Sequence, residues 1–236
     1  MNASTQGAVI LAAGRGQRTG HARPKAYLKI HNKPMLLYSI EKLIQYQPLN
    51  DLVLVINSAD KPLLDREILT QLQLPSRISF KVIHGGAERQ DSALAGVQAS
   101  EAHWLFIHDA ARPFFPPELL AKLFGAAREY HAAIPTLPVV DSLRRVDANE
   151  LIAEDVDRNG VHIVQTPQCY ERSVLLEALE AAHEQGKYFT DEAAAVLNLV
   201  QISAKAVEGS YANFKITSAW DFHLAELIAN SPDMLG

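Results

Sequence analysis

Short apolar segments rich in Val, Ile and Leu alternate with longer amphipathic stretches along the chain as far as Val140. Parallel strands joined by crossover helices produce this alternation, because a strand covered on both faces is apolar along its whole length. The pattern predicts strands at AVILAA, DLVLVIN, SFKVIH, HWLFIHD and AAIPTLPV, and helices near residues 34–47, 61–72, 90–100 and 117–130. We therefore expect an α/β fold with a mostly parallel central sheet flanked by helices.

Capping residues predict where several helices begin. Pro34 suits a first helical position, and Asp91 or Ser92 can cap the helix that follows GGAER. Helical spacing returns after residue 171, and VQISAKAVEGS predicts a late strand. The segment TSAWDFHLAELIAN predicts a closing helix, capped by Thr217 or Ser218.

Residues 141–160, DSLRRVDANELIAEDVDRNG, break this regularity. The segment is charged and turn-rich, with a weak hairpin pattern and no apolar face that would pack on the core. Two interpretations stay open: an excursion from the sheet that packs on another subunit, and an exposed surface loop.

Length and composition exclude several classes of protein. A chain of 236 residues can bury a self-sufficient core, and we expect one domain. Its net charge of −5 argues against a surface that wraps nucleic acid, which needs a broad basic field. The single cysteine, Cys169, fits a reducing compartment. The sequence shows neither a secretory leader nor an apolar run of about 18 residues, so we expect a cytoplasmic protein with no membrane partner.

A loop rich in glycine and positive charge follows the first predicted strand, in VILAAGRGQRTGHARPK at residues 9–25. Its glycines are Gly14, Gly16 and Gly20, so a GxGxxG dinucleotide fingerprint fails at Thr19, and no GK[ST] of a Walker loop follows. Bare amides and guanidinium groups bind oxyanions well, which favours a phosphate ligand. The cations are Arg15, Arg18, Arg23 and Lys25. An ordinary strand-to-helix turn with solvated charges is the alternative.

Two further motifs end predicted strands and should lie at the same edge of the sheet. Gly85 and Gly86 follow SFKVIH, although a tight turn that needs a positive φ would explain the pair equally well. In HDAARP, Asp109 can hold Mg²⁺ directly or through water and Arg112 can hold a phosphate, while a plain ion pair between them is the alternative. We interpret His108 as a packing residue.

Later motifs carry further candidate residues. Lys215 lies in a strand-like run between Phe214 and Ile216, where an ammonium group is unfavourable unless an anion or a cleft receives it. Thr190 in FTDEAA is a good helix start, which structure alone explains. The nine histidines have neither HExxH nor another tight metal spacing, so no zinc site is expected. Cys169 has no basic partner nearby in sequence that would make it a nucleophile.

Taken together, these motifs resemble the 2-C-methyl-D-erythritol 4-phosphate cytidylyltransferases of the non-mevalonate isoprenoid pathway. The resemblance runs from AAGRGQR and PKAYL through GGAERQDS, HDAARP, VDRNG and TPQ to TDEAAAV and NFKIT, so that it covers almost the whole chain. It implies a Rossmann-like nucleotidyltransferase domain over residues 1–236, and an enzyme that joins CTP to methylerythritol phosphate with release of pyrophosphate. It also implies that residues 139–160 form an arm that reaches into the neighbouring subunit of a homodimer.

The resemblance also implies two groups of site residues. The CTP site corresponds to Ala12, Ala13, Gly14, Gly16, Gly85, Gly86, Ser92 and Asp109, with the triphosphate at the first loop and the cytosine near the glycine pair. The sugar-phosphate site corresponds to Asp109, Arg112, Ser142, Arg158, Thr190 and Lys215, with Arg158 serving the partner's site. Ser142 stands where the family commonly has a threonine and keeps the hydroxyl. Ala87 replaces a frequent aspartate, which argues against a side-chain contact to base or ribose there.

The implied reaction brings two polyanions together, so their repulsion is the main obstacle. A phosphate monoester is already a nucleophile at neutral pH, so alignment and positive charge suffice without a general base. We expect Arg18, Lys25 and Lys215 to stabilise charge at the reacting phosphorus. We also expect Mg²⁺, held mainly by the triphosphate with Asp109 in its outer shell, to neutralise part of the leaving group.

Other functions fit parts of the same pattern. Ribitol 5-phosphate cytidylyltransferases share many of the motifs, but AAG, HDAARP and TDEA differ from the forms common in that group. A nucleotide-binding regulator without catalysis is a second alternative, and the presence of every candidate cation argues against it. The broken GxGxxG argues against a nicotinamide oxidoreductase.

Overall fold

The structure is a computed structural model that describes residues 5–14 and 23–230. An eight-stranded sheet forms its centre, while β2 with β3 and β8 with β9 form separate two-stranded sheets. In chain order the strands are β1 (Gln6–Leu11), β2 (Lys29–Ile30), β3 (Lys33–Pro34), β4 (Leu49–Ile56), β5 (Ser79–His84), β6 (Trp104–Asp109), β7 (Ala132–Pro138), β8 (Leu143–Val146), β9 (Ile152–Val156), β10 (His162–Val164), β11 (Gln168–Glu171) and β12 (Lys205–Glu208).

The central sheet is mostly parallel, as predicted. Its order is β10-β7-β11-β6-β1-β4-β5, and β12 also pairs with β7. Strands β5, β4, β1 and β6 are parallel neighbours, and β12 is parallel to β7. Strand β11 runs antiparallel to both β6 and β7, and β10 runs antiparallel to β7. The five predicted strands correspond to β1, β4, β5, β6 and β7, whereas β10 and β11 are too short to give a clear pattern.

Helices cover both faces of this sheet. They are α1 (Met35–Gln45), α2 (Lys61–Leu64), α3 (Arg89–Ala99), α4 (Leu119–Tyr130), α5 (Arg172–Glu184), α6 (Glu192–Leu199) and α7 (Ala219–Ala229). Residues of α1 and α4 share one apolar cluster with Ala8 and Ile10 of β1, and residues of α3, α5 and α6 share another with Val9 and Leu11. Successive strand residues point to opposite faces, so a continuously apolar β1 supplies both clusters. Each fully buried aliphatic side chain contributes about 1.5–3 kcal/mol.

In the part of the chain that the structure describes, no helix has both the length and the apolar character to cross a membrane.

The helix starts differ from the capping predictions in two places. Pro34 precedes the first residue of α1 instead of occupying it. Helix α3 is preceded by Glu88, so neither Asp91 nor Ser92 is the cap. Asp91 instead lies at the third helical position, and its carboxylate accepts a hydrogen bond from the Glu88 backbone N–H at 3.0 Å. Ser218 caps α7 as predicted, because its hydroxyl accepts from the Asp221 backbone N–H at 3.2 Å.

Three predicted elements are shorter than expected or differ in kind. The predicted helix over 61–72 divides into α2 and a π-helical turn at Asp65–Leu69. The late strand is confined to Lys205–Glu208. Lys215 lies outside any strand or helix, so the strand-like interpretation of its run is wrong. The Lys215 ammonium group reaches a cleft from a segment of irregular backbone. In such a segment successive side chains need not point to opposite faces, as they do in a strand.

Residues 141–160 contain an exposed hairpin made by β8 and β9. Arg144 pairs with Asp155 at 2.6 Å and Arg145 with Glu154 at 2.7 Å across the two strands. Ile152 is 71% exposed, so this hairpin does not belong to the core of its own chain. Its packing on a second subunit, and a single domain over the full length, stay predictions.

Candidate active site

The carboxyl ends of β1, β5 and β6 meet at one edge of the sheet. Parallel strands place the segments that follow them together there, which is where open α/β sheets bind ligands. A cleft of about 260 Å³ lies at this edge. It is lined by Leu11, Ala12, Ala13, Gly14, Lys25, Ala26, Gly86, Ala87, Glu88, Arg89, Ser92, Asp109, Ala110, Ala111 and Lys215. We call it the first cleft.

The glycine pair is explained by close packing and not by backbone handedness. Neither Gly85 nor Gly86 has a positive φ, so the tight-turn alternative is wrong. A Cβ on Gly85 would lie 2.5 Å from the Ser92 hydroxyl oxygen and 2.7 Å from the Ala13 Cβ. The Ser92 hydroxyl also accepts a hydrogen bond from the Gly86 backbone N–H at 3.2 Å. The glycines therefore let the β5 loop approach both α3 and the loop that follows β1.

Lys25 enters the first cleft from a 3-10 turn at Lys25–Tyr27. This turn is held in place because its other two residues, Ala26 and Tyr27, are buried. Ala12 is fixed as well, since its backbone N–H donates to the Val55 carbonyl at 2.8 Å. The structure thus brings Ala12, Ala13, Gly14 and Lys25 to one cleft, as predicted. The predicted residues Gly16 and Arg18, with Arg15 and Gly20, lie outside the described residues.

Asp109 and Lys215 form an ion pair in the wall of this cleft. The Lys215 ammonium nitrogen lies 2.6 Å from Asp109 Oδ2, and the Asp109 backbone N–H donates to the Thr166 hydroxyl at 3.0 Å. Asp109 is 7% exposed, and burial alone would raise the pKa of its carboxyl group. The charges of Arg89 and Lys215 outweigh that effect and hold this pKa well below its usual value, so the carboxylate is ionised at neutral pH.

Arg89 and Glu192 complete a chain of alternating charges that sequence reasoning missed. Arg89 Nε lies 3.0 Å from Asp109 Oδ1, and its Nη1 and Nη2 lie 2.7 and 3.1 Å from the two oxygens of Glu192. Burial disfavours the charged guanidinium, but the two carboxylates raise the pKa of Arg89 above its usual value. Both residues stand in motifs already quoted, GGAER and TDEAAAV, and an acid such as Glu192 is ordinary in the first turn of a helix. No sequence signal joins two residues that are 103 positions apart.

A second cleft of about 560 Å³ adjoins the first and shares Arg89, Asp109 and Lys215 with it. Its other lining residues are Arg112, Ile134, Val164, Gln165, Thr166, Gln168, Thr190, Asp191, Ala193, Ala194, Leu197, Ser203 and Ala204. Two predicted residues, Thr190 and Arg112, therefore belong here. Thr190 precedes Asp191, whose side chain caps α6 by accepting from the Ala194 backbone N–H at 2.9 Å.

Arg112, which the sequence assigns to a phosphate, uses part of its guanidinium group to hold backbone. It is 9% exposed, and its Nη1 and Nη2 donate to the carbonyls of Asn213 and Val164 at 2.8 and 3.2 Å. Burial lowers the pKa of Arg112, although the Asp109 charge partly opposes the shift. Through these two hydrogen bonds Arg112 holds the segment before Lys215 against β10.

Ser142 and Arg158 are not brought to either cleft. Both are exposed at the base of the β8–β9 hairpin, and the Arg158 guanidinium donates to the Val140 carbonyl. Within one chain the structure therefore does not join them to the other predicted sugar-phosphate residues. A contribution to the site of a second subunit stays a prediction.

His108 and Cys169 are both fully buried in the central sheet. The His108 ring stacks edge-on against Phe115, and its Nδ1 lies 3.1 Å from the Thr166 hydroxyl. Burial lowers the pKa of His108 to about 3, so the ring is neutral near pH 7. Burial also raises the pKa of the Cys169 thiol. The interpretation of His108 as a packing residue is confirmed by its position.

Comparison with known proteins gives a consistent result. A sequence model of the 2-C-methyl-D-erythritol 4-phosphate cytidylyltransferase (IspD) family matches residues 7–231. A Bacillus cereus protein of that name is 34% identical over 219 residues, which make up 92% of this chain and 95% of that protein. The chain belongs to this family. The predicted family is thus confirmed, and with it the predicted class of nucleotidyltransferase.

Solved structures support the same assignment to the methylerythritol phosphate cytidylyltransferase family. The crystal structure of the Thermus thermophilus protein of that name is 29% identical to this chain, with a TM-score of 0.76 over 94% of this chain and 98% of that one. A 4-diphosphocytidyl-2C-methyl-D-erythritol synthase from Anaerococcus prevotii has a TM-score of 0.82, covering 97% of this chain and 100% of its own. At 22% identity it supports the fold alone.

Proposed function

We propose that this chain joins CTP to 2-C-methyl-D-erythritol 4-phosphate, giving 4-(cytidine 5′-diphospho)-2-C-methyl-D-erythritol and pyrophosphate. One observation carries the proposal beyond family membership. Two clefts adjoin at the Asp109–Lys215 ion pair, so that two phosphorylated molecules can meet on either side of one ammonium group. A family relationship alone would not require these particular side chains to converge.

CTP is assigned to the first cleft. Ala13 and Gly14 offer backbone amide groups to the triphosphate, Ala12 lines the cleft, and Lys25 supplies positive charge. Gly16 and Arg18, which lie outside the described residues, are assigned to the same triphosphate by the family resemblance. We assign cytosine to main-chain groups of the Gly85–Gly86 loop, because Gly86 lines the first cleft and Ser92 holds that loop in place. Ala87 lines the cleft with a methyl group and offers no polar side-chain contact.

Methylerythritol phosphate is assigned to the second cleft. Asp109 can accept hydrogen bonds from the hydroxyl groups of the polyol, and Thr190 can contact its phosphate. Arg112 shapes the floor of this cleft through the two backbone carbonyls it holds. Ser142 and Arg158 would come from the hairpin of a second copy in a homodimer, in which residues 139–160 act as the arm.

Charge explains the chemistry of this arrangement. An oxygen of the sugar phosphate attacks the α-phosphorus of CTP, the new P–O bond forms, and the bond to the β-phosphate oxygen breaks to release pyrophosphate. A phosphate monoester is already anionic at neutral pH, so no side chain has to remove a proton. Neither cleft has a histidine among its described lining residues. Lys25 and Lys215 instead offset the growing charge on the phosphoryl oxygens.

The described residues fit a divalent cation that the nucleotide carries, and do not fit one held by the protein alone. Among them, no group of three or more His, Cys, Asp or Glu side chains is arranged to hold a metal ion. Asp109 lines both clefts and is ionised, but each of its oxygens already accepts a hydrogen bond from a cationic side chain. It can reach a nucleotide-borne Mg²⁺ through water. Such an ion, when bound, neutralises part of the triphosphate charge.

A pyrophosphate-release assay tests the proposal. The purified protein is incubated with Mg²⁺, with CTP, UTP or ATP, and with either methylerythritol phosphate or ribitol 5-phosphate. We expect pyrophosphate with CTP and methylerythritol phosphate, and at least about a tenfold lower rate with every other pair. A faster reaction with ribitol 5-phosphate, or no pyrophosphate from any pair, overturns the proposal.

A further inference from the structure

Arg89 lines both clefts, yet its guanidinium group is directed at carboxylates. Nε and Nη2 lie 3.0 and 2.9 Å from Asp109 Oδ1. The Nη1 and Nη2 atoms make a two-pronged contact with the carboxylate of Glu192. A guanidinium offers five N–H donors in a fixed planar fork, and both of its Nη atoms face Glu192 here. Arg89 is therefore ill-placed to bind a phosphate, although its location alone would suggest that role.

Glu192 is itself held in place from several directions. It is 1% exposed, and a buried carboxylate is strongly unfavourable without a charged partner. It opens α6 directly after the capping residue Asp191. Asp191 accepts a hydrogen bond from Gln168 Nε2 at 3.0 Å, and Tyr170 donates its hydroxyl hydrogen to Gln168 Oε1. The start of α6 is thereby tied to β11, and Glu192 is a fixed anchor for Arg89.

The four side chains form an alternating row: Glu192, Arg89, Asp109 and Lys215. Asp109 is the member that would move without Arg89, because its Oδ1 would lose its cationic partner. Lys215 would then be paired with a carboxylate free to rotate. An ammonium has three N–H donors, and one is used by Asp109, so the orientation of the carboxylate decides where the other two point.

We propose that Arg89 and Glu192 are positioning residues: Glu192 holds Arg89, Arg89 holds Asp109, and Asp109 fixes the Lys215 ammonium in the wall between the two clefts. The proposal rests on the proposed function, since it concerns the placement of a cation for that reaction. Neither residue acts on substrate directly. Misplacing a reacting or stabilising group by about 1 Å can lower turnover on the order of a hundredfold.

Two conservative variants test the row. Glu192→Gln keeps the size of the side chain but removes its charge, and Arg89→Lys keeps the charge but loses the fork. For each we expect kcat to fall about 10-fold to 100-fold while KM for CTP changes less than about threefold, because Ala13, Gly14 and Lys25, on the opposite loop of the first cleft, keep their places. If one variant fails to fold, the other still decides the question.

Coupling to Lys215 separates positioning from a general structural role. If Glu192 acts through Lys215, the loss of kcat from Glu192→Gln shrinks to about twofold or less in a Lys215→Ala background, measured at high enzyme concentration. A merely structural role gives losses that multiply and that follow the melting temperature. Arg77→Gln is the matched control, because Arg77 is also half-buried and donates to the Ile44 and Gln47 carbonyls far from the clefts. We expect it to lower stability and leave kcat unchanged.

The outcomes distinguish the two proposals. If the wild-type protein forms no product, the proposed function fails. If it does, folded Glu192→Gln and Arg89→Lys proteins with wild-type kcat overturn the positioning role and leave the function standing. Full multiplicative losses with Lys215→Ala overturn it as well.

Discussion

Replacing Lys215 with alanine should separate catalysis from stability. Lys215 is 38% exposed in its side chain, and its visible partner is Asp109 at 2.6 Å. Because Lys215 is partly exposed and the buried Asp109 carboxylate stays compensated by a second cation, we expect the loss of this pair to cost about 1 kcal/mol of stability. For a chain of this size we therefore expect the melting temperature to fall by no more than roughly 4 °C. Asp109 keeps Arg89 as a cationic partner in the variant.

The expected effect on turnover is much larger. Losing one preorganised electrostatic contact to a transition state typically lowers kcat by about 10²–10³, or roughly 2.7–4 kcal/mol. That loss exceeds the expected stability effect several-fold, so the two cannot be confused. Pyrophosphate release at saturating CTP and methylerythritol phosphate gives kcat, and a thermal melt of the same preparation gives stability.

Lys81→Ala is a matched control for this variant. The side chain of Lys81 is 37% exposed and pairs with Glu101 at 3.1 Å, so the two lysines match in their own exposure, although Glu101 is far more exposed than Asp109. It lies on β5 near the amino end of the strand, away from both clefts. We expect a melting shift no larger than that of Lys215→Ala and an unchanged kcat. Near-normal turnover of Lys215→Ala, or equal losses of kcat in the two variants, would refute the reasoning.

Three further outcomes follow from the same geometry. Lys25→Ala should lower kcat at least about a hundredfold with little change in the circular dichroism spectrum, and turnover close to wild type would remove Lys25 from the mechanism. Gly85→Ala should destabilise the protein by about 1–3 kcal/mol and raise KM for CTP, because the new Cβ lies 2.5 Å from the Ser92 hydroxyl oxygen. Gly125→Ala is the control, because no heavy atom lies within 4 Å of a Cβ built there. Equal melting temperatures of the two variants would contradict the packing argument. His108→Gln should retain turnover, and a folded but inactive variant would contradict the absence of a histidine base. Since the pKa of His108 is about 3 when folded and 6.5 otherwise, wild-type stability falls as pH drops below about 6.5, and chemical denaturation of the variant should show a smaller fall over that range.

Much of the site could be predicted because the sheet is parallel. Once β1, β5 and β6 are recognised as parallel strands, Ala12, Gly86 and Asp109 must lie at their carboxyl ends along one edge of the sheet. The motifs around them then indicate an anion at that edge. The cost of an isolated ammonium predicts a cleft or an anion at Lys215, and Lys215 lines both clefts, although the strand expected around it does not form.

The paired charges could not be predicted in the same way. Glu192 satisfies the rule that favours acids in the first turn of a helix, so its segment calls for no distant partner. Arg89 is a cation at the first position of α3, which the same rule disfavours, but nothing in the sequence says which carboxylates compensate it. Arg112 is a different case, because two of its N–H groups hold the Asn213 and Val164 carbonyls, which no sequence pattern indicates, while its contact with a phosphate stays a prediction. Sequence pattern gives the position of a cation along the chain, and tertiary packing decides what its N–H groups face.

A crystal structure of the protein with CTP, Mg²⁺ and a non-reactive analogue of methylerythritol phosphate would test the central idea most directly. We predict that the ammonium nitrogens of Lys25 and Lys215 lie about 2.7–3.2 Å from phosphate oxygens, with Lys215 between the two ligands. A triphosphate bound away from both lysines, or two ligands whose phosphates do not meet at Lys215, would contradict it.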